Sequence, residues 1–570
     1  MAETLLSPGV IAIENDQSFI TQQPAQAGAA IIGPTVKGPV EIPTLVTSYS
    51  QYVNKFGDSL TSGSDIYSYF TSITAYNYFQ NGGTSLLVAR VVTGSYTAAT
   101  SSLILTGSGG PTTGLSPFVL STISEGELMN STSTETTNGA LPSGSSNNIR
   151  WEIASSNTSS GQFDLLIRRG DDLSNNKIIL ETWTGLSLDP KASNFISKVI
   201  GDYEFNYNSS NNQIELSGSY PNASNYVRVK QVNYLTPDYF DNNGVAKGQY
   251  TGSIPSPCSG TFGSATGTIK PATNFYNTLT NTNTQGLDAG CYTNMINLLS
   301  NQDDYKFNLL VTPGLFYSAH SSAMSNIVSN TQNRGDNIYI MDLVNYGATV
   351  TSTTTQAVNV NSSYAAAYWP WVQTNDPATG KNVWVPASTM IPGVYAFNDA
   401  AGEPWFAPAG INRGGLSTVI RAEQKLSQAN RDTLYLGKVN PIATFPGQGI
   451  VVYGQKTLQQ KASALDRVNV RRLLIELKNY ISQIGNGLVF EQNTIATRNS
   501  FLAQVNPYLD SIQQRQGLYA YKVVMDDTNN TADVIDRNQL VGQIYIQPTK
   551  TAEFIYLTFN VTPTGATFPA

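Results

Sequence analysis

The order of apolar residues from Gly449 to the C-terminus constrains the fold more than any other stretch of this chain. Ile450, Val451 and Val452 read as a strand. Residues 456–484 then read as one amphipathic helix, with Leu458, Ala462, Leu465, Leu473, Leu477, Ile481 and Ile484 near one face. At 1.5 Å per residue such a helix is about 43 Å long. A second helix follows, then a strand running into Met525-Asp526-Asp527-Thr528-Asn529-Asn530, a strand over 541–546 and a final strand over 553–561. In that last strand Ile555, Leu557, Phe559 and Val561 share one side, and Phe554, Tyr556, Thr558 and Asn560 the other. Both sides are partly apolar, so the strand is expected inside a sheet, with Ile555, Leu557, Phe559 and Val561 in the core.

A chain of 570 residues is long enough for roughly three or four domains and needs no staples to bury a core. Lys and Arg number 32 against 39 Asp and Glu, a net charge of −7. That balance argues against nucleic acid as the main partner. Charged residues make up 12% of the chain, well below the ~25% usual for soluble domains; Ser, Thr, Asn and Gly take their place. A surface poor in long charged side chains suits a protein that lies against copies of itself, and suits a secreted β-rich protein equally. The two cysteines, Cys258 and Cys291, are too few for a disulfide framework and are expected as free thiols. The N-terminus lacks a basic and an apolar region, so no signal peptide is expected. No apolar run reaches about 18 residues, so neither a transmembrane helix nor membrane insertion is expected.

Composition and periodicity divide the chain into segments. Residues 1–28 form an N-terminal arm in which Val10, Ile11, Ala12 and Ile13 can extend as a strand after Pro8-Gly9. Residues 29–92 read as a small α/β unit. Charge thins out over 93–150, and strand patterns recur to residue 232, so 95–242 is expected as an inserted, mainly antiparallel β domain. Residues 243–268 look like a Gly/Ser/Pro linker. From 269 to 447 helices alternate with apolar strands, the mark of an α/β domain. Residues 449–561 form the C-terminal core domain and 562–570 a tail. The fold class is multi-domain α/β plus β.

With Asn469-Val470-Arg471-Arg472-Leu473-Leu474, Val489-Phe490-Glu491-Gln492-Asn493, Asp526-Asp527-Thr528-Asn529-Asn530 and Ala552-Glu553-Phe554-Ile555-Tyr556-Leu557-Thr558-Phe559 in this order, the C-terminal region resembles that of contractile phage tail sheath proteins. Leu6-Ser7-Pro8-Gly9-Val10 near the start, Trp369-Pro370-Trp371, and Glu403-Pro404-Trp405-Phe406-Ala407-Pro408 extend the likeness across residues 5–561. The resemblance implies a structural subunit, not an enzyme. It implies a homo-oligomer of stacked sixfold rings around an inner tail tube protein, with baseplate and tail terminator proteins at its ends. Such a sheath is assembled in the host cytoplasm, resides in the virion tail, and contracts to drive the tube through the host envelope. It further implies terminal arms that add strands to neighbouring subunits, a core domain built from both ends of the chain, and a non-catalytic subtilisin-like α/β domain over 269–447. A sheath of a bacteriocin or secretion-type contractile injection system, or a virion surface or receptor-binding protein, are the rival readings.

No catalytic, metal or cofactor site is expected. His320 is the single histidine, and no nucleophile turn, P-loop or dinucleotide fingerprint accompanies it. Asp303-Asp304 and Asp526-Asp527 stand beside Asn and Thr, as turn-capping acids do. The tripeptides Arg169-Gly170-Asp171 and Arg334-Gly335-Asp336 are short enough to arise by chance. One charge feature remains: residues 451–480 hold Lys456, Lys461, Arg467, Arg471, Arg472 and Lys478 against only Asp466 and Glu476. A solvated helix face is the plain reading. The sharper one is a basic surface of Lys461, Arg467, Arg471, Arg472 and Lys478 that meets the tube or the next subunit. The third is that the arginines pair within the subunit, with Glu476 as a partner.

Overall fold

The structure, a computed structural model, describes residues 26–62, 65–107, 114–132, 134–269, 279–280 and 283–555. The expected arm residues Val10–Ile13, and Leu557, Phe559 and Val561, lie outside these.

An eight-stranded sheet organises the chain. Its order is Thr44–Val46, Leu86–Arg90, Gln26–Gly33, Lys306–Phe316, Ile338–Asp342, Ala365–Trp369, Asn440–Phe445 and Gly449–Val452. The six inner strands run parallel, and the two outer ones antiparallel. Alternate side chains enter two cores. Ile31, Val311, Ile340 and Tyr368 face the helices Phe70–Gln80 and Ile391–Ala401. Ile32, Leu310, Met341 and Trp369 face Tyr292–Leu298 and Tyr317–Arg334. The strands are apolar on both faces for this reason. Local signals set the ends of the short helix Tyr49–Phe56. Ser48 accepts from the Gln51 N–H, and Gly57 closes it at φ 73°, where a Cβ would stand 2.9 Å from Val36.

This topology corrects the expected core domain built from both ends of the chain. Residues 26–90 share their sheet with 306–452, and Gly449–Val452 is an edge of that sheet rather than the first strand of the C-terminal module. The physical reason is burial: Gln26–Gly33 is flanked by parallel partners on both sides and needs a sheet covered on both faces.

The inserted β domain is a seven-stranded antiparallel sheet ordered Ile179–Ser187, Gln162–Arg169, Ile149–Asn157, Cys258–Gly263, Ala98–Ser101, Phe118–Glu125 and Val227–Val232. The expected linker 243–268 therefore contributes the middle strand. Its small residues answer to packing, since a Cβ on Gly260 would stand 2.5 Å from the Trp151 ring. Both cysteines are free and half-buried.

The C-terminal module consists of helices Val468–Asn486 and Ile495–Gln514 and the hairpin Leu518–Val524 with Gln543–Pro548. The first helix begins twelve residues later than the expected 456. Residues 455–458 are instead tied to the sheet: the Asn440 amide accepts from Lys456 N–H at 2.6 Å and donates to Lys456 C=O at 2.8 Å, and buried Leu458 donates its N–H to Ala365 C=O. Ser463 then caps a short turn, Ala464–Asp466. The expected strand over 553–561 is not formed in its described part: residues 553–555 are irregular, and Phe554 and Ile555 are 69% and 77% exposed. Ile555 is thus not a core residue of this chain, whose hairpin stays two-stranded among the described residues.

Two predictions follow from this packing. Replacing 95–242 by a Gly/Ser bridge strands Cys258–Gly263 and should give insoluble protein. Joining Gly94 to Gly267 removes the whole β domain, and Thr97 N–H donates to Thr266 C=O where the two crossings meet; soluble protein with native helix content by circular dichroism is expected. Second, Asp342 is buried, accepts from Ser388 N–H and Oγ–H at 3.1 and 2.5 Å, and is pushed up by burial from 3.8 to about 7. The folded state therefore keeps a proton that the unfolded state loses above 3.8. Its contribution is fully present below pH 3.8 and lost as pH rises through about 7, at most about 1.4 kcal/mol per unit. Asp342→Asn should flatten that part of the pH–stability curve measured by urea denaturation.

Candidate intersubunit surface

Among the described residues the C-terminal hairpin is a two-stranded sheet. Tyr521, Lys522 and Val523 pair with Ile546, Tyr545 and Ile544. Val523, Ile544 and Ile546 rest on a cluster of Leu473, Leu477, Phe501, Val505, Leu509 and Ile512. The Tyr521 hydroxyl donates to Asp510 at 2.6 Å and pins the first strand to the second helix. Tyr519 and Tyr545 stand exposed. Among the described residues neither strand pairs with a further strand, although the Tyr519 C=O accepts from Gln513 Nε2 and the Val524 C=O from Asn529 Nδ2, both at 2.8 Å. A two-stranded ribbon is marginal by itself, and this one is competent to accept a strand at either edge. The loop between its strands is closed by Asn530, whose amide donates to Val541 C=O and accepts from Val541 N–H. Asp526 there accepts from Thr528 N–H, a turn cap.

Beside this ribbon runs the segment 549–555. Thr549 N–H donates to Gly517 C=O, and its hydroxyl to Gln516 C=O. Further on, Glu553 is the fixed point. Its carboxylate accepts from Arg467 Nε at 2.7 Å and Nη2 at 2.9 Å, from the Tyr435 hydroxyl at 2.5 Å and from Gln455 Nε2 at 3.1 Å. Burial alone raises this carboxyl, but the Arg467 and Tyr435 hydrogen bonds outweigh it and hold the group below the usual range. Phe554 and Ile555 then project into solvent.

The basic helix does not present the expected row of cations. Arg472 is buried and forms a two-pronged pair with Asp399, at 2.8 Å to Oδ1 and 2.5 Å to Oδ2, above the Tyr395 ring. Arg471 is buried against Tyr364, 4.0 Å from its ring centre, and donates to Ser363 Oγ at 2.6 Å. Lys478 donates to the Tyr364 hydroxyl. Arg467 serves Glu553 and Asp466. Lys461 is exposed, ahead of the helix. The arginines face inward because Val468, Leu473 and Ile475, their neighbours, pack into two cores at once. Glu476, the expected partner, makes no ion pair with either arginine; burial raises its carboxyl while Arg472 pulls it down. Asp399, Tyr435, Gln455 and Glu553 were not legible as partners, because each lies far away in sequence.

His320 uses both ring nitrogens. Nδ1 accepts from Phe316 N–H at 3.1 Å, and Nε2 donates to Thr280 C=O at 2.8 Å. Burial lowers its pKa, which favours this neutral form. Arg334 is buried, with Nη1 donating to Leu299 C=O, so the second Arg-Gly-Asp presents no free guanidinium. No group of three metal-ligating side chains occurs among the described residues.

Residues 290–458 match the family model described as the phage tail sheath protein central domain, and 460–562 that of the phage tail sheath C-terminal domain. The tail sheath protein of Vibrio phage KVP40 is 44% identical over 211 residues, 37% of this chain and 31% of that protein. That of Enterobacteria phage T4 is 40% identical over 227 residues, 40% of this chain and 34% of that protein. The chain thus spans about a third of the length of the curated relatives it matches. The sheath tail protein of Listeria innocua shares the fold, with a TM-score of 0.52 over 92% of this chain and 96% of that one at 10% identity.

Truncating buried Arg472 leaves Asp399, a third exposed, without its two-pronged partner. Arg472→Met should lower unfolding free energy by about 2 kcal/mol, between the costs of breaking a buried and an exposed pair, measured by urea denaturation of the monomer.

Proposed function

We propose that this chain, whose residues 290–458 and 460–562 match the phage tail sheath central and C-terminal domain models, is the structural subunit of a contractile tail sheath. In this reading copies stack as sixfold rings around an inner tail tube protein, between baseplate and terminator proteins, in the virion tail. The sheath contracts to drive the tube through the host envelope, and the subunit performs no catalysis. The observation that carries the reading is the two-stranded hairpin beside an outgoing segment with exposed Phe554 and Ile555. The alternating sequence over 553–561, expected as a strand, is read as one that pairs in a neighbour's sheet. A neighbour's hairpin, two-stranded among the described residues, supplies an edge for it, and backbone hydrogen bonds across that edge link copies without a chemical step. The arm at Val10–Ile13 plays the same part at the other end of the chain.

The α/β body is read as a non-catalytic relative of the subtilisin-like fold, supported by its parallel sheet with helices on both faces. The β domain, which enters and leaves through adjacent crossings, is read as an outward module. Three findings leave less room for a tube-facing role of the basic helix: Arg467, Arg471 and Arg472 are all engaged inside the subunit. Lys461 and Lys478 remain as candidates for such contacts.

The purified full chain should form long hollow cylinders in negative-stain electron microscopy. Ending the chain after Ile555 should abolish them while the melting temperature stays within about 2 °C, since this changes no described core contact. Cylinders of normal length from the truncated chain would remove the strand-addition reading.

A further inference from the structure

The segment 550–555 has no regular structure, and side-chain bonds are what hold it. Three parts of the fold converge there. Tyr435 ends the helix Gln428–Leu436, Gln455 follows the sheet edge Gly449–Val452, and Arg467 precedes the helix Val468–Asn486. Their donors meet one carboxylate, that of Glu553, and Gln455 Nε2 also donates to Thr551 Oγ1 at 2.5 Å. The surroundings are cationic. Lys456 lies 4.0 Å above the Tyr435 ring, Lys438 lies 3.8 Å from Asp466, and Arg467 Nη1 lies 2.8 Å from the same aspartate. Without Glu553, Lys438, Lys456 and Arg467 would share Asp466 as their nearby carboxylate. Desolvation and the two neighbouring cations already lower Lys456 to about 8. The pocket is therefore built for an anion, and the chain fills it with its own residue.

We infer that Glu553 is a positioning residue for assembly: its clamp in the Tyr435–Gln455–Arg467 pocket fixes the point and direction from which the C-terminal arm leaves the subunit. This rests on the sheath reading above. Two consequences are physical. An arm that starts from a fixed point searches a smaller volume than one loose from Thr549, so its effective concentration at a neighbour's hairpin is higher. The clamp also joins the arm to the sheet edge and to the basic helix, so a pull on the arm acts on the α/β body rather than on the ribbon alone.

Full-length wild type, Glu553→Ala, and the exchanged pair Glu553→Arg with Arg467→Glu test this. Amide hydrogen exchange of 549–555 in the monomer reports the clamp, and the critical concentration for cylinders reports its use. Glu553→Ala should speed exchange there, leave the melting temperature within about 2 °C, and raise the critical concentration about tenfold, the effect of losing a two-pronged charged contact. The exchanged pair should regain part of both. Unchanged exchange in Glu553→Ala would overturn the clamp. Faster exchange with wild-type assembly would overturn its positioning role, as would a folded exchanged pair that regains slow exchange and still fails to assemble. If wild type itself forms no cylinders while Glu553→Ala loosens 549–555, the sheath reading falls and the clamp stands as a local anchor alone.

Discussion

A parallel sheet that is apolar on both faces has to be covered on both, and most of this architecture answers to that need. Helices from the middle of the chain, with Phe70–Gln80 on one side, cover both faces, and the N-terminal strands insert between the antiparallel edge and Lys306–Phe316. Between Leu86–Arg90 and Lys306 the chain is free to wander, and it builds the β domain there. Arg90 ties that excursion back. It is buried, and its Nη1 donates to Gly38 C=O at 2.5 Å and to Glu125 C=O at 3.0 Å, one acceptor from each body.

The C-terminal module meets the same sheet through a single helix with two apolar stripes. Val468 and Ile475 pack into the sheet core, and Leu473 and Leu477 into the module's own, joined by Trp405 from the α/β body. Buried Arg472 locks the joint through Asp399, while the half-exposed Arg515–Glu403 pair beside Trp405 adds little. Apolar packing alone would tolerate sliding. Paired, partly desolvated charges do not, because a shift leaves a buried ion without its partner. The hairpin therefore keeps a fixed attitude to the body.

Much of the local structure was legible from residue pattern alone. The strands at 29–33 and 86–90, the helix closed by Gly57 and the alternation of helix and strand over 306–445 follow from period and caps, which are short-range properties. Two errors have physical causes. Residues 456–467 carry helical spacing, yet Asn440 takes the backbone bonds of Lys456 and the sheet takes Leu458. Residues 258–263 have linker composition, yet Gly260 is required beneath Trp151. In both, a long-range contact overrode a local signal.

The sequence by itself determined many of the strands and helices, among them Gln26–Gly33, Leu86–Arg90 and the alternation over 306–445, because these depend on residue type and spacing. Tertiary structure decided which sheet each strand joins, that Arg471 and Arg472 turn inward, and that Glu553 holds the outgoing segment. Those outcomes depend on partners such as Asp399, 73 residues from Arg472, and Tyr435, 118 from Glu553. No periodicity reaches that far; only the packed chain brings such charges together.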